Sequence, residues 1–159
     1  MTVMEPTPPA ELGMSMEESA DDQRFGPNTP YWRDMGHPWG GRHSTGLDLE
    51  VLLQTLLDGG RHAGRRLFSP ASVRAMTTDQ NPGLQAPWGL GWCLAGSRAY
   101  GYFGELCSPA TFGHVGATGT AAWADPAQQL LCVVLTNKLV SGGSLLRRVG
   151  NAVSAAVVE

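Results

Sequence analysis

The stretch Phe112-Gly113-His114-Val115-Gly116-Ala117-Thr118-Gly119-Thr120-Ala121-Ala122-Trp123-Ala124-Asp125-Pro126 decides the fold. It reads as a strand from Thr111 to Ala117 carrying an H-x-G triplet, a glycine-eased bend, a second strand from Thr120 to Ala124, and a turn at Asp125-Pro126. Outward from it, Leu130 to Thr136 is a nearly unbroken apolar run, the pattern of a strand covered on both faces. The connections are too short for crossovers, so these strands should pair antiparallel. Trp88 to Leu94 reads as a further strand upstream. Downstream, a helix is expected from about Ser144. Leu145, Val149, Ala152, Val153, Ala156 and Val157 repeat at helical spacing, with Arg147, Arg148, Asn151 and Ser154 outside. The expected class is α+β of the α/β-sandwich type, an antiparallel sheet of three to four strands with the C-terminal helix packed on it.

Two more helices precede the strands. Thr45 is an N-cap with Asp48 in capping-box spacing. Leu49, Leu52, Leu53, Leu56 and Leu57 then make one apolar face, and Gly59-Gly60 ends the helix. Ser69-Pro70 opens a shorter helix anchored by Val73 and Met76, which Asn81-Pro82-Gly83 is expected to close. Residues 1–30 hold five of the 11 prolines and the acidic patch Glu17-Glu18 to Asp21-Asp22, so they read as an irregular segment, with one helical turn around 14–20.

Composition bounds the function. The 159 residues suffice for one domain, 42 % are hydrophobic, and the net charge is −3. Arg and Lys gather along the chain only as pairs such as Arg65-Arg66 and Arg147-Arg148, which argues against nucleic-acid and anionic-membrane partners. No apolar run approaches the roughly 20 residues of a spanning helix. Cys93, Cys107 and Cys132 lack C-x-x-C spacing and read as buried free thiols. The amino-terminal residues have neither the basic nor the apolar region of a signal peptide, which gives cytoplasmic residence as the expectation. His37, His43 and His62 have no metal-ligand spacing, and no metal or cofactor is expected.

The chain resembles the serine β-lactamase, penicillin-binding-protein and esterase superfamily in its class C-like branch. The resemblance rests on Leu12-Gly13-Met14, Gly40-Gly41 with Ser44-Thr45, Leu67-Phe68-Ser69-Pro70, Trp88-Gly89-Leu90-Gly91-Trp92, Gly113-His114-Val115-Gly116 and Leu135-Thr136-Asn137, in that order. It covers residues 12–159 and implies that residues 31–159 are the C-terminal portion of a β-lactamase-like hydrolase domain.

The resemblance also implies site residues. His114 takes the Lys/His position of the family triplet, Gly116 lets substrate approach the backbone, and the Ala117 N–H serves as an oxyanion donor. Val115 and Thr118 are the implied substrate-binding residues. Val115 stands where many β-lactam-active members have Thr or Ser, which favours ester or amide substrates. Trp88, Trp92 and Trp123 read as packing residues and Gly40-Gly41 as a close turn.

The nucleophile motif is not in this sequence. Lys138 is its single lysine, with Leu135 three positions before it, so there is no S-x-x-K. Tyr31, Tyr100 and Tyr102 are followed two positions on by Arg33, Tyr102 and Gly104, so there is no Y-x-N, and no G-x-S-x-G is present either. The function expected is that of a C-terminal half contributing the H-x-G strand to an acyl hydrolase. The alternatives are an inactive ligand-binding or interaction module and a non-functional truncated product. The expected partners are an N-terminal half carrying S-x-x-K and Y-x-N and an acyl, ester or peptide-like small molecule. Self-association through the 130–136 strand edge is a further expectation.

Overall fold

Thr45 starts a twelve-residue leucine-rich helix as its capping pattern requires. The computed structural model describes residues 20–26, 28–38, 40–137 and 142–157. Helix α3 (Gly46–Leu57) follows α1 (Ala20–Phe25) and α2 (Pro30–Met35). At its start the Asp48 N–H donates to the Thr45 hydroxyl at 3.1 Å, and the Thr45 N–H returns to the Asp48 carboxylate at 3.3 Å. Leu53 and Leu56 are buried on its inner face. The turn expected at 14–20 and the Leu12-Gly13-Met14 motif lie outside the described residues; within the stretch read as irregular, Ala20–Phe25 is helical.

A two-stranded hairpin, β1 (Arg61–His62) with β2 (Arg65–Arg66), comes next, and then α4 (Pro70–Thr77). The Ser72 N–H donates to Ser69 at 3.0 Å, which makes Ser69 the cap of α4. Helix α4 ends at Thr77, ahead of the Asn81-Pro82-Gly83 stop expected from sequence. Thr78 turns extended, and the Gln80 N–H is drawn to the Trp88 carbonyl at 2.7 Å.

The stretch 88–94 is not a strand. Gly91 has φ +88°, and the Gly89 N–H donates to the Trp92 carbonyl at 2.9 Å, which folds the segment back on itself. It reaches the sheet through one antiparallel bridge, Cys93 to Gly113. A 3-10 turn, Arg98–Tyr102, leads on to the sheet.

Strands β3 (Phe112–Gly116), β4 (Thr120–Asp125) and β5 (Leu130–Val134) form an antiparallel sheet in that order. Gly113 opposes Trp123, His114 opposes Ala122, and Trp123 opposes Cys132. Period-two alternation splits the apolar residues between two cores. On one face Phe112 and Ala124 pack with Leu53 and Leu56 of α3. On the other, Ala121, Trp123 and Cys132 pack with Phe103 and with Leu146 of α5 (Gly142–Ala155). The result is a three-layer α+β unit with the sheet covered on both faces, and β5 is an apolar strand of the expected kind.

The inward face of α5 differs from the expected one. Leu146, Gly150 and Ser154 are buried while Leu145 is 45 % exposed. Gly150 lies so close to the Phe103 carbonyl that a Cβ would collide with it. Asn151, expected to face outward, accepts the Glu105 N–H at 2.7 Å and fixes the 103–107 loop.

Candidate active-site wall

The register puts His114 on the α3 side of β3 and turns Val115 to the other. Val115 packs against the cluster of Trp123 and Cys132. His114 is exposed, and its Nδ1 lies 2.7 Å from the Val115 carbonyl, to which it donates. Its ring meets that of Trp88 edge to face, 5.3 Å between centroids. Gly116 and Ala117 are exposed beside it, and Thr118 is half-buried in the turn that follows. The structure therefore gathers His114, Gly116 and Ala117 on one open edge and places Val115 in the core layer beneath.

Glycine shapes this edge by necessity of packing. At Gly113 a Cβ would stand 2.6 Å from the Ala122 carbonyl and 2.8 Å from the Phe103 ring. At Gly116 it would run into the Thr120 hydroxyl across the register. Gly119 has φ +69° and lets the chain reverse into β4.

Thr136 belongs to this wall as well. The Thr136 hydroxyl donates to the Thr118 carbonyl, with the Gly119 carbonyl 3.1 Å away. It holds the turn in which the Ala117 N–H sits. Its signal was the Leu135-Thr136-Asn137 triplet, whose role becomes visible only when β5 lies beside that turn.

A groove of about 270 Å³ is lined by Trp88 together with Tyr102, Ser97 and Arg98. Around the sheet's start the buried Asp125 carboxylate accepts from the Ser108 N–H at 2.7 Å, the Ser108 hydroxyl at 2.6 Å and the Ala127 N–H at 3.0 Å. Burial works against its ionisation, but the bonds from Ser108 outweigh that and hold its pKa below the ordinary value.

No cysteine is poised to replace the nucleophile. Cys93 and Cys132 are buried, Cys107 is half-buried, and all three are free. Burial pushes all three thiols above their usual pKa, so each stays protonated. Among the described residues no three His, Cys, Asp or Glu side chains gather as a metal site, and no helix is long and apolar enough to cross a membrane.

The sequence profile of the Beta-lactamase family matches residues 2–156. A protein of Escherichia coli O157:H7 named D-alanyl-D-alanine carboxypeptidase is 41 % identical over 92 residues, 57 % of this chain and 21 % of that protein. One of the same name from Salmonella gallinarum is 38 % identical over 110 residues, 67 % of this chain and 25 % of its own length. The crystal structure of a beta-lactamase from Mycobacterium bovis superposes with a TM-score of 0.62 at 32 % identity, over 73 % of this chain and 45 % of that one. The chain thus spans about a fifth to a quarter of the curated relatives it matches and under half of the structural one.

Proposed function

The chain belongs to the Beta-lactamase family, a family of serine hydrolases, and on that premise we propose that it supplies the C-terminal, H-x-G wall of an acyl-hydrolase site whose nucleophile is carried by a separate polypeptide segment. The observation that carries the reading is the exposed edge of β3. It offers the His114 ring, the glycine approach at Gly116 and the Ala117 turn together, in a sequence with no S-x-x-K. In this reading the serine, lysine and Y-x-N tyrosine come from the partner segment. The Ala117 N–H then stabilises the oxyanion, a contribution of about 3 kcal/mol for a preorganised donor. Loss of a nucleophile costs on the order of 10⁶ in kcat, so the isolated chain is inactive. Val115, with no hydroxyl and its side chain packed inward, favours ester or amide substrates over β-lactams.

The test combines the chain with a family N-terminal half carrying S-x-x-K and Y-x-N, the native upstream coding region being the first source. A chromogenic ester and a cephalosporin are assayed with each half alone and with both. Turnover by the mixture alone, lowered by His114→Ala, supports the proposal. Turnover by the isolated chain that survives His114→Ala overturns it. Thermal protection of the chain by such ligands without turnover in any combination would favour the binding-module reading instead.

A further inference from the structure

The backbone that carries the Trp88 indole against His114 is held with unusual thoroughness for a loop. The Trp88 N–H donates to the Asp79 carboxylate at 3.3 Å, and the Trp88 carbonyl accepts from the Gln80 N–H at 2.7 Å. Asp79 is itself set by the Asn81 N–H at 2.9 Å. On either side, the Leu94 N–H donates to the Pro87 carbonyl at 3.1 Å and the Leu90 N–H to the Ala75 carbonyl at 3.2 Å. At Gly89 a Cβ would collide with the Met76 carbonyl, so the turn lies directly on the end of α4.

Antiparallel bridges then carry this turn onto β3. Trp88 pairs with Cys93, and Cys93 pairs with Gly113, the chain neighbour of His114. Both bonds of the second bridge are made, from the Cys93 N–H at 2.8 Å and from the Gly113 N–H at 3.2 Å. The indole thus meets His114, 5.3 Å between centroids, from a frame tied to the same strand. Packing against the cluster of Phe103 and Trp123 accounts for part of the Trp88 side chain. It does not account for the contact with an exposed imidazole, which adds little to the core. What that contact restricts is the imidazole. The Nδ1 bond to the Val115 carbonyl fixes one atom of the ring, and the edge-to-face contact fixes its tilt about that atom.

We propose that Trp88 is a positioning residue of the H-x-G wall, which acts by holding the His114 imidazole in one orientation. With Nδ1 engaged, the other ring nitrogen is the one left for substrate, and its direction is what the indole sets. An exposed strand histidine otherwise samples several rotamers, and ordering it in advance removes that penalty from the transition state. Trp88 itself touches no reacting atom in this scheme. The inference rests on the role given to His114 in the proposed hydrolase.

The test has one readout in the isolated chain and one in the reconstituted hydrolase. NMR relaxation of the His114 ring, identified by its loss in His114→Ala, should show an ordered ring in the parent chain. In Trp88→Leu it should become as mobile as the exposed His43 ring. Trp88→Phe should restore the order, and Leu90→Ala, in the same turn and 56 % exposed, should leave it unchanged. In the reconstituted hydrolase Trp88→Leu should lower kcat about tenfold with KM held, and should lower it no further once His114→Ala is present. Thermal melts check that each variant is folded. If Trp88→Leu does not fold, Asp79→Ala, which frees the Trp88 N–H and keeps the indole, carries the same predictions at smaller size. A His114 ring equally ordered without Trp88 overturns the proposal. So does an additive loss in the double variant, which marks Trp88 as purely structural. A ring that loosens in Trp88→Leu, with no turnover from any combination of halves, supports the positioning of His114 and overturns the hydrolase reading instead.

Discussion

Thr136 and Gly119 stand 3.1 Å apart, hydroxyl to carbonyl, and this contact joins the end of the last strand to the turn that leaves the H-x-G strand. The same hydroxyl donates to Thr118. Thr136→Val keeps the volume and removes the donor, leaving two carbonyls of the turn without it. We expect a loss of about 1 kcal/mol in stability, read by denaturant unfolding. In the reconstituted hydrolase kcat should fall while KM holds, since the turn positions a donor for the transition state and not for the ground state.

His114 should behave in the opposite way. Its side chain is exposed and its one hydrogen bond is to the neighbouring carbonyl, so His114→Ala changes stability by no more than about 0.5 kcal/mol. In the reconstituted enzyme the same change lowers kcat/KM by about 10²-fold if the ring handles a proton or binds the leaving group. A melt that drops sharply would show a structural histidine instead.

Asp125 couples the fold to pH. Its folded pKa lies below the unfolded value because the Ser108 and Ala127 donors outweigh its burial. A depressed carboxyl stabilises the fold fully above its unfolded pKa, about 3.9, and that stability is lost as pH falls through the lowered folded value. Asp125→Ala strands those donors and should cost about 3 kcal/mol at neutral pH, with the deficit shrinking in acid. A deficit that does not vary between neutral and acid pH would contradict the assignment.

What was legible in the sequence follows from which forces act locally. The capping box at Thr45 and Asp48 and the leucine face of α3 are written within single turns, and both stand as read. The two strands on either side of the Gly119 bend and the unbroken apolar run from Leu130 also stand as strands. Trp88 to Leu94 looked like a strand because aromatic and aliphatic residues mimic one, while Gly89 and Gly91 bend the backbone away. Hydropathy points to Leu145 as part of the inner face of α5, but Leu145 is 45 % exposed while Gly150 sits against the Phe103 carbonyl and Ser154 is buried. A hydropathy count passes over such positions. His114 and Gly116 were visible as a motif; the clamp at Thr136 was not, because its partners are 17 and 18 residues away.

Gly150 gives a test whose sign separates propensity from packing. In an isolated helix Gly→Ala gains about 1 kcal/mol. Here the added methyl would meet the Phe103 carbonyl, a backbone atom that cannot rotate aside. Gly150→Ala should therefore destabilise by about 2 kcal/mol, as overpacking does. A stabilised variant would mean that α5 does not lie as close to the 103–104 segment as described.

The outer edge of β5 supplies the last prediction. Leu130, Leu131, Cys132, Val133 and Val134 carry no charge or proline, and among the described residues no strand pairs with their free side. Exposed Leu135, 53 % accessible, extends the apolar edge, and its side chain lies 3.8 Å from where a Cβ on Gly46 would stand. Such an edge is a template for another strand. Light scattering should show the mass of the isolated chain rising with concentration, and Leu135→Lys should shift it toward monomer by placing like charges together. Addition of the complementary half should replace the self-associated species with a one-to-one complex, because one edge cannot hold both strands. A chain that stays monomeric at every concentration and melts cooperatively would show that this edge needs no partner, and would remove the structural reason for assigning the missing nucleophile to a separate segment.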